Sequence, residues 1–167
     1  MRSMTLNEET TFQGKPLFTG GDVTVKLIPA PVGTGIIFRR IDLPGSPEIS
    51  AKTENVVEAT RTTKIGTEGH SVQTIEHLMA ALYACGVDNL IIELNGPEMP
   101  IFDGSSLPYM EIIEKVGLQE QSGNKEVYTL DAPCSITIGD TQIIALPAHE
   151  FRVSYMLHYT HSPYLQS

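Results

Sequence analysis

At Thr74 the spacing of apolar residues changes. Upstream, Val23-Thr24-Val25-Lys26-Leu27-Ile28 alternates and is closed by Pro29-Ala30-Pro31, and Gly35-Ile36-Ile37-Phe38-Arg39-Arg40 follows a glycine-containing turn. That is the signature of a hairpin in a strand-rich opening. Downstream, Ile75, Leu78, Met79 and Leu82 recur at i, i+3, i+4 and i+7, so the spacing predicts a helix over 74–86, with Thr74 as N-cap and Gly86 at the C-cap. Between the two, weaker strand signals at Val56-Val57, Thr62–Ile65 and Ser71–Gln73, with Gly66 and Gly69 at a turn, predict a small second hairpin.

Past Gly86 the run Leu90-Ile91-Ile92-Glu93-Leu94 has strand length and ends at Asn95-Gly96-Pro97. Two prolines stiffen the loop Glu98-Met99-Pro100-Ile101-Phe102-Asp103-Gly104. Ser105 or Ser106 can cap a helix over 107–116, with Pro108 in its first turn. The polar stretch Gln119–Asn124 has the composition of a linker. Beyond it, residues 139–148 overlay residues 21–30 at a constant offset of 118, matching Gly-Asp at one end and Pro-Ala at the other. The overlay predicts an internal repeat. The first copy continues through a helix, a strand and another helix, whereas the second reaches Ser167 just after the strand Phe151–Leu157. A first domain over 1–124 and an incomplete second over 125–167 are therefore expected. A half-built sheet would leave an apolar face and a strand edge uncovered.

Charge and composition exclude several classes. Eleven Lys+Arg against twenty Asp+Glu give a net charge of −9, and no Lys or Arg falls between Lys64 and Lys115. Nucleic-acid binding rests on neutralised phosphates and is not expected. No apolar run approaches the ~20 residues that span a bilayer, so no transmembrane segment is expected. The start, Met1-Arg2-Ser3-Met4-Thr5, lacks the apolar stretch of a secretory signal, which makes the cytoplasm the expected compartment. Cys85 and Cys134 sit in no CxxC motif and are expected as small core residues.

The most informative chemistry lies on the helix over 74–86. With Ile75 at 0° and 100° per residue, the apolar stripe spans about −60° to +40°, Glu76 lies near 100° and His77 near 200°. The neighbours of His77 on that side are Ala80, Ala81 and Ala84, a small apolar face where a solvated helix would carry charge. A helix apolar all round is buried on both sides, so something else is expected to pack over His77. Two readings of the pair stand side by side. In one, His77 is a metal ligand or catalytic imidazole and Glu76 its base or orienting carboxylate. In the other, His77 is hydrogen-bonded in an interface and Glu76 favours the helix dipole. The pair makes neither an H-E-x-x-H nor an H-x-x-E-H zinc motif. His158 and His161, spaced i, i+3 near a strand end, are weaker ligand candidates, and Asp103 can either bind substrate or serve an Asp-Gly turn.

Taken together, Thr74-Ile75-Glu76-His77-Leu78-Met79-Ala80-Ala81-Leu82, Gly86-Val87-Asp88-Asn89 and Gly96-Pro97-Glu98-Met99-Pro100-Ile101-Phe102-Asp103-Gly104-Ser105 resemble the bacterial UDP-3-O-acyl-N-acetylglucosamine deacetylases of lipid A synthesis in Gram-negative bacteria. Pro29-Ala30-Pro31, Thr34–Arg40 and Thr60-Arg61-Thr62-Thr63 fit the same family. The resemblance implies an α+β fold of two similar domains, each a β-sheet layered with helices of the ribosomal protein S5 domain 2-like kind, with the site between them. It implies a zinc-dependent hydrolase that removes the N-acetyl group from a UDP-linked acylated amino sugar. By that resemblance His77 is a Zn2+ ligand, Glu76 the general base, Leu17 faces the acyl chain and Thr62 flanks the substrate. Members usually carry a histidine after the leucine of Gly-x-Gly-Leu-His-x-Gly, and here Phe18 follows Leu17. The other zinc ligands are expected from a His-x-x-x-Asp helix, which residues 125–167 lack, so the chain is expected to be an inactive amino-terminal portion whose carboxy-terminal domain is missing. The competing expectation is a non-catalytic acidic α+β binding module.

Overall fold

The computed structural model describes residues 1–67 and 69–156 and divides into two units, Met1–Lys125 and a second from Glu126 onward. The first unit is α+β. Its central sheet has five strands in the order β2 (Thr10–Gly14), β3 (Val23–Pro29), β9 (Leu90–Leu94), β4 (Ile36–Arg40) and β5 (Glu48–Ser50). Beside it stands a three-stranded sheet of β6 (Val56–Glu58), β7 (Lys64–Thr67) and β8 (His70–Gln73). The two helices are α1 (Glu76–Cys85) and α2 (Leu107–Val116). A further pair joins β1 (Arg2–Leu6) to β10 (Leu118–Asn124).

Residues 23–28 and 36–40 are strands, but they do not form a hairpin together. β9 lies between them, antiparallel to β3 and parallel to β4. The reason is in β9 itself, since Leu90, Ile92 and Leu94 are fully buried and a strand this apolar gains most in the middle of a sheet. Register puts Val25 opposite Leu94, Leu27 opposite Ile92 and Phe38 opposite Ile92, so one face carries all of these side chains. That face meets Leu78, Ala81 and Leu82 of α1 and Tyr109 and Ile113 of α2 in a single apolar cluster. Each Val, Leu, Ile or Phe among them contributes about 1.5–3 kcal/mol by leaving water. The opposite face carries charge, with Arg39 bridging Glu48 at 2.6 Å and Glu93 at 2.7 Å. The hairpin expected within 49–73 forms as β7 and β8, with Lys64 opposite Gln73. Buried Arg40 ties the two sheets by donating from Nη1 to the Ser71 carbonyl at 2.6 Å while it pairs with Asp42.

The polar stretch 119–124 is not a linker. It is strand β10, whose backbone ladder with β1 needs no apolar side chains, and Gln121 adds bonds to the Ala30 carbonyl and to Asn89 at 2.8 Å each. Helix α2 covers the residues predicted for it. Helix α1 starts one residue later than expected, because its N-cap is Ile75 and not Thr74: Thr74 is buried in the left-handed region at φ 59°. Gly86 does close α1, at φ 75°, with its N–H bonded to the Leu82 and Tyr83 carbonyls.

In the second unit β11 (Cys134–Ile138) and β12 (Thr141–Ala145) form an antiparallel hairpin, Ile138 opposite Thr141. β12 falls on the first five residues of β3 at the offset of 118. Ile136, Ile138, Ile143 and Leu146 are exposed, as is Cys134, which is therefore no core residue; Cys85 is half-buried. His158 and His161 lie outside the described residues.

Candidate active site

Every piece of the site gathers at the head of α1. The end of β8 pairs with the segment after β9, where the Gln73 N–H donates to the Pro97 carbonyl at 2.9 Å and the Met99 N–H to the Gln73 carbonyl at 3.0 Å. This sets Glu98 beside Thr74, one turn before Glu76 and His77. The segment after β2 crosses the same place. There Gly14 allows the approach, since a Cβ on it would stand 2.7 Å from Pro100 Cβ, and the Ile101 N–H reaches the Lys15 carbonyl at 3.0 Å.

Glu98 is the centre of the polar network. It is fully buried, and its carboxylate accepts from the backbone N–H groups of Leu17 (3.0 Å), Phe18 (3.0 Å) and Thr19 (2.7 Å) and from the Thr74 hydroxyl (3.0 Å). Burial pushes this carboxyl up, but the bonds from Phe18, Thr19 and Thr74 outweigh it, and its pKa lies below the usual glutamate value. The hydroxyls of Thr74 and Thr62 are 3.1 Å apart, and the Thr74 N–H donates to Thr62 Oγ1 at 2.9 Å. The next residue, Thr63, donates its N–H to Glu76 Oε2 at 3.0 Å.

Of the residues singled out from the sequence, Leu17 and Thr62 are thus joined by one run of hydrogen bonds through Glu98 and Thr74, and Glu76 is bonded to Thr63, the chain neighbour of Thr62. Leu17 is held by its backbone while its side chain is 58% exposed, and Phe18 gives Glu98 an N–H that any residue would supply. His77 is half-buried next to Glu76. Asp103 receives the Ser105 N–H at 2.9 Å and its hydroxyl at 2.8 Å, which hold its carboxyl below the usual range, and the charge of His77 adds a smaller push the same way. Beside Glu76 a cavity of about 350 Å³ opens, walled largely by Ala51, Val56, Ile65, Ile75 and Met79. Of the alanines expected beside His77, Ala80 and Ala84 are exposed while Ala81 is fully buried in the main core, so the second covering layer expected over His77 is not formed by the described residues.

Strain concentrates here as well. Among the described residues four non-glycine residues have positive φ, and three of them, Arg61, Thr74 and Phe102, flank the site. For β-branched Thr74 this is a true outlier, with a cost of about 1–3 kcal/mol that its surroundings must offset. Sequence reasoning missed Thr74 and Glu98 as site residues. A threonine before an apolar helical stripe reads as a cap, and a glutamate between prolines reads as a loop.

Catalytic zinc takes three protein ligands. Among the described residues no group of three or more His, Cys, Asp or Glu could hold a metal ion, so these residues by themselves do not make a zinc centre.

Comparison with known proteins gives a consistent picture. Residues 3–167 match the family model described as LpxC, UDP-3-O-acyl N-acetylglycosamine deacetylase. The UDP-3-O-acyl-N-acetylglucosamine deacetylase of Geotalea uraniireducens is 43% identical over 157 residues, covering 94% of this chain and 51% of the relative. That of Myxococcus xanthus is also 43% identical over 157 residues, with 94% and 50% covered. The bifunctional enzyme LpxC/FabZ of Bacteroides thetaiotaomicron is 43% identical over 161 residues, 95% of this chain and 35% of the relative. The chain spans about half the length of the curated deacetylases it matches.

Proposed function

Because the chain belongs to the LpxC family of UDP-3-O-acyl-N-acetylglucosamine deacetylases, we propose that it forms one side of an active site that hydrolyses the N-acetyl group of a UDP-linked, 3-O-acylated glucosamine in lipid A synthesis. The observation that carries this reading is the run of hydrogen bonds from Leu17 through Glu98 and Thr74 to Thr62, whose chain neighbour Thr63 bonds Glu76.

In this reading Glu76 is the general base. Its Oε2 is steadied by the Thr63 N–H, and an ionised carboxylate has about four acceptor positions, so it retains the capacity to take a proton from a water molecule. His77, the next residue on the same turn, is a zinc ligand; the others come from outside the described residues, in keeping with a chain that spans about half the length of its relatives. Zinc, when bound, supplies a more acidic water and a polarised amide carbonyl. Leu17, exposed above the Glu98 clamp, faces the acyl chain. The 167-residue chain alone is inactive, and the compartment in this reading is the cytoplasm. No helix among the described residues is long and apolar enough to cross a membrane.

The test uses a protein of the relatives' length. Glu76→Gln should keep its zinc by atomic emission and lose turnover by about 10²–10⁴-fold, whereas His77→Ala should lose zinc as well. An unchanged kcat in Glu76→Gln refutes the base. One tightly held zinc per dialysed 167-residue chain, lost in His77→Ala, refutes the assignment of the other ligands to a domain outside this chain.

A further inference from the structure

Glu98 belongs to neither the metal-ligand nor the base assignment, yet it is the most heavily bonded carboxylate at the site. It reaches two parts of the chain that sequence separates by more than fifty residues, the Leu17–Thr19 segment and Thr74. We propose that Glu98 is a positioning residue that holds Leu17–Thr19 and Thr62 in register with Glu76, and that fixes Thr62 as a hydrogen-bond acceptor.

The second half of this statement follows from counting protons. An ionised carboxylate only accepts, so the single hydroxyl proton of Thr74 points at Glu98. Of the two hydroxyls 3.1 Å apart, the donor must then be Thr62. Thr62 Oγ1 receives the Thr74 N–H in return. Its own proton is committed, and what it offers a ligand is a lone pair. A substrate group met by Thr62 is therefore an N–H or O–H donor.

The first half follows from what replaces Glu98 badly. Oε1 accepts from Leu17, Phe18 and Thr74, and Oε2 from Phe18 and Thr19. A glutamine would set an NH₂ against N–H donors on one side. The Leu17–Thr19 segment, its own side chains exposed, would lose its anchor while the apolar packing of α1 persisted.

Two measurements test the proposal, and the kinetic one rests on the deacetylase reading. By amide hydrogen exchange on the 167-residue chain, Glu98→Gln should speed exchange at Leu17, Phe18 and Thr19 about tenfold or more, with Leu82 unchanged, since bonds to a charged acceptor are lost there alone. In a protein of the relatives' length, the same substitution should raise KM about tenfold or more, by the same lost bonds. Loss of folded protein would instead lower kcat per total enzyme and leave KM alone. Thr74→Val, which removes only the relay to Thr62, should raise KM too, and Thr74→Ser should restore it; this pair carries the test if Glu98→Gln does not fold. Unaltered exchange at Leu17–Thr19, or loosened exchange with KM unmoved, overturns the proposal. If the unsubstituted protein shows no deacetylation, the functional reading falls instead, and exchange alone decides for or against Glu98.

Discussion

Val25 and Ile143 occupy the same place, 118 residues apart, in two strands that the sequence builds alike. Each strand pairs antiparallel with the strand before it, Val25 facing Phe12 and Ile143 facing Ile136. Yet Val25 is fully buried and Ile143 is 66% exposed. The difference lies in what is added around the hairpin. β3 has β9 on its other edge and α1 and α2 over its apolar face, whereas among the described residues β12 pairs with β11 alone. An isolated hairpin is marginal in water, and three or more strands or a covering helix are needed for stability of its own. The comparison teaches that an apolar strand states a need for cover and that other elements decide whether the need is met.

Hydrogen exchange should give the widest contrast. Amides of β3 and β9 should exchange at least about a thousandfold more slowly than those of β11 and β12, because core strands open only with the whole unit. Equal protection would mean that the second hairpin is covered in solution. Next in size, Leu27→Ala should cost about 2–5 kcal/mol in urea unfolding, as a cavity in a close-packed core does. Acid should then separate the two regions. The Glu98 carboxyl sits below its ordinary value, so its contribution to stability is complete above that value and is lost as pH falls through the lower, folded one. The first unit should weaken over that range, Glu98→Gln should flatten the dependence, and the second should be indifferent, as read by far-UV circular dichroism and by exchange at β11. Gly86→Ala, which puts a Cβ on a left-handed C-cap, should cost about 1 kcal/mol. The smallest effect is expected for Ile143→Ala, within about 0.5 kcal/mol, as for an exposed surface position.

Much of this was legible from local pattern. Helix α2, the β7–β8 hairpin, the β9 strand and the Gly86 cap each follow from residues within a turn or two of one another. What was not legible depends on distant partners. Nothing near Val23 or Arg40 says that β9 will come between β3 and β4, and β10 is a strand because β1 offers it a ladder, with little help from its own side chains. The site divides the same way. Glu76 and His77 stand out on the helix, and Leu17 and Thr62 are brought in by family resemblance. Glu98 and Thr74 matter through bonds to residues as far as 81 positions away, or through a backbone angle that no neighbouring residue announces.

The β1–β10 pair also bears on how the protein is made. Its strands enclose nearly all of the first unit, from Leu6 opposite Leu118 to Arg2 opposite Asn124. During synthesis the earlier strand must wait for about 110 residues to be added before its partner leaves the ribosome, which at ~5–20 residues per second is roughly ten seconds. Over that interval the ladder edge of β1 is open to any passing strand. The sheet and helices between can form as they emerge, but the clasp closes last, so slow translation through 118–124 should prolong the window for mispairing more than an equal delay elsewhere.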